Sequence, residues 1–378
     1  MYNNIHTIVP TVKYMPEYDN DGVNALTYDG LTIGGQKTKV FAYIGYPDNI
    51  AEKMPAMVLV HGGGGHAYYN WVRMWNAAGY AAIAMDTTGY YPAAVNGAGG
   101  AEGDNVKWIH GINGNADFAE AGYTDAPDND HMTFSDNEID TQWMYHAVAD
   151  TILAHNILLQ DDRIDPAKIG ITGISWGGVI TSLAIGHDNR YAFAIPIYGA
   201  GYLSESTGVI GPLFQNDMTK KLWLAEHKFD NVTMPVLWFN WNKDIHFSMN
   251  TTSKSYRDTV KNNPLTIISL KDGMNHSHYH GWVCKENFLF ADSIIKGTTG
   301  FPRFINQPNG RNINCELYIP DGVTLTARII GDEKSYPIDI TGNKISGIVD
   351  DEITAYYIEL VMNIDGYDHY SSSDYIVL

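Results

Sequence analysis

The chain has 378 residues, 44% of them hydrophobic, and its 43 acidic and 24 basic side chains leave a formal net charge of −19. That length exceeds what one compact domain usually holds, so one large and one small domain are expected. The acidity argues against nucleic acid or an anionic membrane as a partner and favours a neutral substrate over an anionic one.

Met1 to His6 carries neither a basic region nor an apolar core, and no segment approaches a transmembrane span. A cytoplasmic protein is the expectation, or a secreted one whose leader has been removed. Cys284 and Cys315 fall in different predicted domains and build no disulfide scaffold. Residues 1–35 are expected to form an N-terminal extension packing on the large domain. From about residue 38 to 298, apolar runs alternate with helical patterns, the signature of an α/β fold with a mostly parallel sheet and helices on both faces. Strands are predicted near 38–46, 56–60, 81–86, 168–173, 192–198, 235–241 and 265–270, and helices near 68–78, 137–160, 176–187, 252–262 and 284–296.

The strand at 56–60 runs into His61-Gly62-Gly63-Gly64-Gly65-His66, whose four glycines leave backbone amides bare as donors to a developing anion. Gly63 is the expected donor, paired with the amide of Trp176 further along. A phosphate cradle is the competing reading, but neither GxGxxG with a ribose carboxylate nor GxxxxGK[ST] is present. The segment 87–136 then breaks the alternation; it is rich in glycine and asparagine and carries Tyr90, Tyr91, Trp108 and Tyr123. So long an irregular connection is read as a cap-like insertion above the sheet. In the helix at 137–160, Ile139, Trp143, His146, Ala147, Ala149, Ile152, Leu153 and Ile157 form one stripe, read as core.

Gly173-Ile174-Ser175-Trp176-Gly177 follows the apolar run 168–172 and reads as a nucleophile elbow, a strand turning sharply into a helix with serine at the apex. A serine hydroxyl is a poor nucleophile at neutral pH, so this reading requires a histidine base and an acid to orient it. A second cap-like insertion, 199–231, carries Tyr202, Leu213, Phe214, Trp223 and Leu224. Tyr202 and Trp223 are candidate platforms for a sugar ring, the alternative being a satellite core beneath the loop. Asp244, at the end of the strand 235–241, is the expected acid in preference to Asp272, because a whole strand and helix separate it from the histidines. Asn275-His276-Ser277-His278-Tyr279-His280 follows the last strand of this series. His276 is the expected base, with His278 the alternative and His280 behind it. Alternating histidines also suit a metal, yet no further ligand pattern accompanies them, so neither a metal nor any cofactor is expected.

The elbow, the glycine loop, Asp244, and the stretch Met274 to Trp282 followed by Phe288 to Ser293 together resemble the α/β-hydrolase superfamily. The nearest branch is the bacterial acetyl xylan esterase, dienelactone hydrolase and prolyl oligopeptidase-like group. The resemblance spans residues 36–298 and implies a catalytic domain there, with acyl-hydrolase chemistry on Ser175, Asp244 and His276. The repeated histidine and the two insertions depart from the pattern.

Beyond about residue 300 helical periodicity stops, and half-buried strand patterns alternate with the turn signals Asn309-Gly310 and Pro320-Asp321-Gly322. Residues 300–378 are therefore read as a small antiparallel, sandwich-like β domain. Three roles are open to it: binding carbohydrate, mediating a homo-oligomer, or covering a face of the large domain, which is the simplest. The expected function is a serine esterase acting on a small-molecule ester, with an acylated sugar the leaning. The alternatives are a prolyl oligopeptidase-like peptidase and a noncatalytic carbohydrate-binding protein. The roughly 50 residues ahead of the glycine-loop strand are too few for even two blades of the propeller such peptidases carry.

Overall fold

Short apolar runs that cannot complete a helix bury both their faces by pairing side by side, and they build the central sheet of this protein. The computed structural model describes residues 1–32, 37–48, 53–89, 139–332 and 334–378, together with the backbone of 91–92 and 108–109. The sheet begins with β1 (Val12–Tyr14), β2 (Asn24–Asp29), β3 (Lys39–Gly45), β4 (Met54–Val60) and β5 (Ala81–Met85). A two-stranded ribbon, β6 (Tyr91–Pro92) with β7 (Trp108–Ile109), pairs as a separate sheet. The sheet is completed by β8 (Ile164–Ile174), β9 (Phe193–Ile197), β10 (Leu237–Trp241) and β11 (Ile267–Lys271). Among the described residues it has nine strands in the order β1-β2-β3-β5-β4-β8-β9-β10-β11. The six from β5 to β11 are parallel, and β1, β2 and β3 join antiparallel. The N-terminal segment is thus part of the sheet itself and does not merely pack upon it.

Among the described residues seven α-helices connect or flank the strands: α1 (Tyr69–Ala77), α2 (Trp143–Leu159), α3 (Trp176–His187), α4 (Asp217–Trp223), α5 (Met249–Thr259), α6 (His278–Trp282) and α7 (Lys285–Ile295). The stripe predicted on α2 is mostly buried, but so are Val148, Ala154 and His155 outside it. His155 is enclosed by Asp188, 2.9 Å from its Nδ1, and by the stacked Tyr191, while the amino terminus packs along the same helix. Tyr2 Oη donates to the Tyr145 carbonyl at 3.0 Å, and the Asn156 amide donates to the carbonyls of Ile5 and Ile8, each at 2.8 Å.

After β4 the chain goes to β5 on one side, then crosses through α2 to β8 on the other. That reversal opens a crevice beyond the carboxyl ends of β4 and β8, where open α/β sheets bind ligands. Val60 and Gly173 pair at that end, so the glycine loop and the serine turn leave the sheet side by side.

The remaining strands among the described residues form two antiparallel sheets. One has β12 (Arg303–Phe304), β13 (Asn312–Tyr318), β17 (Lys344–Ile348) and β16 (Ile340–Thr341); the other has β15 (Lys334–Pro337), β14 (Leu325–Gly331), β18 (Ala355–Ile364), β19 (Tyr367–Ser372) and β20 (Ile376–Val377). Alternate residues of these strands, among them Ile313, Cys315, Leu317, Ile329, Ile345, Tyr356, Ile358 and Leu360, close a second core. This sandwich covers the open edge of β11 rather than a face of the sheet. Leu270 N–H donates to Ser372 Oγ at 3.1 Å, and Ser269 Oγ donates to the Tyr370 carbonyl at 2.8 Å. Beside them Lys271 Nζ meets the fully buried Glu286 carboxylate at 2.8 Å, and Arg257 pairs with buried Asp374. An exposed apolar strand edge is a template for aggregation. Deleting residues 300–378 is expected to convert soluble protein into high-molecular-weight aggregate on size exclusion, and a monodisperse truncated chain would contradict this role for the sandwich.

Candidate active site

The serine turn is built by steric exclusion. Ser175 has φ 58° and ψ −118°, a conformation that costs about 1–3 kcal/mol for a residue with a side chain. Its neighbours must therefore yield all their space. A Cβ on Gly173 would lie 2.1 Å from the Gly177 carbonyl oxygen, and one on Gly177 would lie 2.0 Å from that of Val60. The turn is pinned by Ser175 N–H, which donates to the Ile197 carbonyl at 2.9 Å. The hydroxyl then projects from the N-terminus of α3 into the crevice.

Asp244 follows β10, and His276 follows β11, the next strand in the sheet. The structure brings both to the serine: His276 Nε2 lies 2.8 Å from Ser175 Oγ, and His276 Nδ1 lies 2.7 Å from Asp244 Oδ2. The Asp244 side chain is completely buried, and that of His276 is 17% exposed. The second carboxylate oxygen, Oδ1, accepts the amides of His246 at 2.7 Å and Phe247 at 3.0 Å, so both oxygens have donors. The imidazole itself is walled in by Phe247, stacked at 5.9 Å, and by Tyr198 and His246, each with a ring centroid at 4.6 Å. Tyr198, His246 and Phe247 carry no signal in the sequence that ties them to the site, apart from the closeness of the last two to Asp244.

The other sequence candidates separate. Asp272 pairs with the exposed Lys243 at 3.1 Å and does not approach His276. The His280 ring bonds to Ser277 Oγ at 2.8 Å, within its own helical turn. His278 Nε2 accepts the Gly62 amide at 2.8 Å, which places it on the glycine loop and not on the serine. Gly63 is partly exposed beside it; neither its amide nor that of Trp176 donates to an acceptor among the described residues.

Trp223 requires correction as a sugar platform. Trp223 is 1% exposed, and its indole N–H donates to Gln142 Oε1 at 2.7 Å, so it is core under the second insertion. The Tyr202 hydroxyl donates to the Asp258 carboxylate on α5, and the residue lines a groove with Arg257 and Ile305 that Ser175 does not share. An apolar loop residue near a domain core is more readily buried than displayed. Phe214 from the same insertion stacks at 6.0 Å on Trp176, the residue after the serine. Of the first insertion, Thr87 to Gly89 are described along with the backbone of 91–92 and 108–109; Tyr90, Tyr123 and the side chains of Tyr91 and Trp108 lie outside the described residues.

Two imidazoles flanking the glycine loop are held neutral. Burial lowers the pKa of His66 to about 4, and burial with the nearby His61 and His66 lowers that of His278 to about 3. Below about pH 6.5 the unfolded chain takes up protons that the folded one refuses, so these groups cost no stability above that pH and an increasing amount as the pH falls toward their folded values. Each lowers stability by up to about 1.4 kcal/mol per pH unit in that window. The urea midpoint is expected to be lower at pH 5 than at pH 7; equal midpoints would show that the folded protein protonates both rings.

Residues 7–211, more than half of the chain, match the acetyl xylan esterase (AXE1) family. No curated protein gives a significant match. Among solved structures, an acetyl xylan esterase from Paenibacillus sp. R4 is similar at 16% identity and a TM-score of 0.47, covering 72% of this chain and 86% of that one. Acetyl xylan esterase 1 from Thermoanaerobacterium sp. JW/SL YS485 is similar at 15% identity and a TM-score of 0.48, covering 73% and 87%. Pyrococcus horikoshii acylaminoacyl peptidase is similar at 17% identity and a TM-score of 0.50, covering 78% of this chain but only 43% of the peptidase. At such identities the likeness is one of fold, and this chain spans less than half the length of the peptidase. With the family match covering its amino-terminal half and an α/β-hydrolase sheet beneath the serine turn, the chain belongs to the acetyl xylan esterase family.

Proposed function

We propose that the protein is a serine esterase that hydrolyses carboxylic esters of short acyl groups, with acetylated carbohydrate the favoured substrate class. The observation that carries this reading is the unbroken hydrogen-bonded chain from Ser175 Oγ through His276 to the buried Asp244 at the carboxyl edge of a parallel sheet. Family membership supports the ester and the acetyl group, and the net charge of −19 favours a neutral alcohol portion such as a sugar.

In the proposed reaction His276 Nε2 takes the Ser175 proton as Oγ attacks the ester carbonyl, giving a tetrahedral oxyanion. The amides of Gly63 and Trp176 receive the negative charge. Asp244 holds Nδ1–H, which fixes the tautomer and stabilises the imidazolium. The alcohol leaves with the proton returned from Nε2, and water then repeats the sequence on the acyl-enzyme to release the acid and restore Ser175. The two backbone amides on Asp244 Oδ1 keep its other oxygen aimed at the ring. The chemistry calls for no cofactor.

Ser175→Ala is expected to lower kcat on an acetylated sugar by several orders of magnitude with an unchanged melting temperature. Undiminished turnover would end the proposal. A fluorophosphonate probe is expected to label Ser175, and a panel of acetylated sugars against longer acyl esters and peptides reads the substrate class. Asp244→Asn places an amide against Nδ1, and a loss in kcat of about 10⁴-fold is expected from the wrong tautomer.

A further inference from the structure

Four consecutive glycines can present amides to an anion, but they supply nothing to hold those amides in place. Gly62 to Gly65 have no side chains to pack, and Gly64 adopts φ 66°. The Gly62 carbonyl accepts Gly65 N–H at 3.0 Å and His61 Nδ1–H at 2.8 Å, the His61 ring being held in turn by the Thr87 amide at 2.9 Å, and neither bond fixes the Gly62 amide. The amide of Gly62 is held from outside the loop by His278, whose Nε2 accepts it at 2.8 Å. The ring fills the crook of the loop. A Cβ on Gly65 would come 2.5 Å from Nε2, and one on Gly62 would come 3.1 Å from Nε2 and 3.0 Å from Ser175 Cβ. Gly62 is therefore wedged between the imidazole and the serine, which makes Gly63 the next amide along the loop.

The imidazole is itself held. His278 is the first residue of α6, whose cap Ser277 accepts the His280 amide at 3.1 Å. Tyr68 lies against its ring at 5.2 Å and packs edge-on against the buried Trp282 at 5.0 Å. An acceptor at Nε2 requires the proton on Nδ1, and a second proton would set a donor against the Gly62 donor. Burial keeps that second proton off until the pH reaches about 3.

We propose that His278 is a positioning residue for the esterase reaction proposed above: by accepting the Gly62 amide through Nε2, it fixes the direction in which the adjoining Gly63 amide meets the oxyanion. This inference rests on that reading for its effect on rate, while the anchoring itself is measurable without turnover.

The test compares His278→Gln, whose amide oxygen can reach the Nε2 position, with His278→Phe, which keeps a ring and removes the acceptor. Two readouts are taken on the full chain: kcat and KM for p-nitrophenyl acetate, and amide hydrogen exchange of the segment 61–66. His278→Phe is expected to lose about tenfold to a hundredfold in kcat, a part of the effect of losing an oxyanion donor outright, with KM changed less than about twofold. His278→Gln is expected to recover most of that loss, and exchange in the loop should accelerate in the phenylalanine variant alone. The proposal is overturned if His278→Phe keeps wild-type kcat, if both variants fall equally, or if loop exchange is the same in all three proteins. Should wild-type protein turn over no ester, the esterase reading fails separately and the exchange comparison still decides whether His278 anchors the loop. If His278→Phe does not fold, His278→Met, whose thioether is a weak acceptor, replaces it.

Discussion

The placement of the whole site follows from one steric constraint, the approach of α3 to the end of β4. The Gly177 backbone sits so close to the Val60 carbonyl that no side chain fits between them. That contact sets the helix on top of the neighbouring strand and forces the strained turn at Ser175. It also sets the glycine loop beside the serine, because the loop begins at the residue following Val60. The strain of the turn, about 1–3 kcal/mol, is borne by a sheet buried on both faces, whose central strands have nowhere to relax.

The histidine is governed by a different principle. Loops following β10 and β11 carry the acid and the proposed base, and loops alone orient a side chain poorly. Here Tyr198, His246 and Phe247 enclose the imidazole, and main-chain amides hold the carboxylate. The carboxylate is therefore aimed by backbone rather than by other side chains. A fully buried anion with three donors is well compensated, and the cation forming on His276 during the proposed reaction would find its counter-charge already desolvated.

Much of this was legible in the sequence, for reasons that differ by residue. The strands around β4 and β8 were readable because unbroken apolar runs of strand length have few other uses, and Ser175 because only a sharp turn needs glycine on both flanks of a serine. The division of labour between His276 and His278 was not, since it depends on α6 beginning at His278. Ser277 as cap turns the chain there, so that residues two apart point to different partners, which alternating histidines do not reveal. Trp223 is misread because an aromatic residue in an irregular segment has the same composition whether it faces solvent or core. Residues 1–35 read as an extension because β1 has only three residues and the pairings of β1 with β2 and of β2 with β3 are antiparallel, unlike the pattern that identifies the rest of the sheet.

The edge contact between β11 and the sandwich has a consequence in time. The strand that closes the catalytic sheet ends at Lys271, and the residues that satisfy its outer edge, Tyr370 and Ser372, emerge about a hundred residues later. At typical synthesis rates of 5–20 residues per second, that interval is about 5 to 20 s. Throughout it the catalytic sheet can be complete in its strands yet open along one side, so protection of this edge is a late event in the life of the nascent chain.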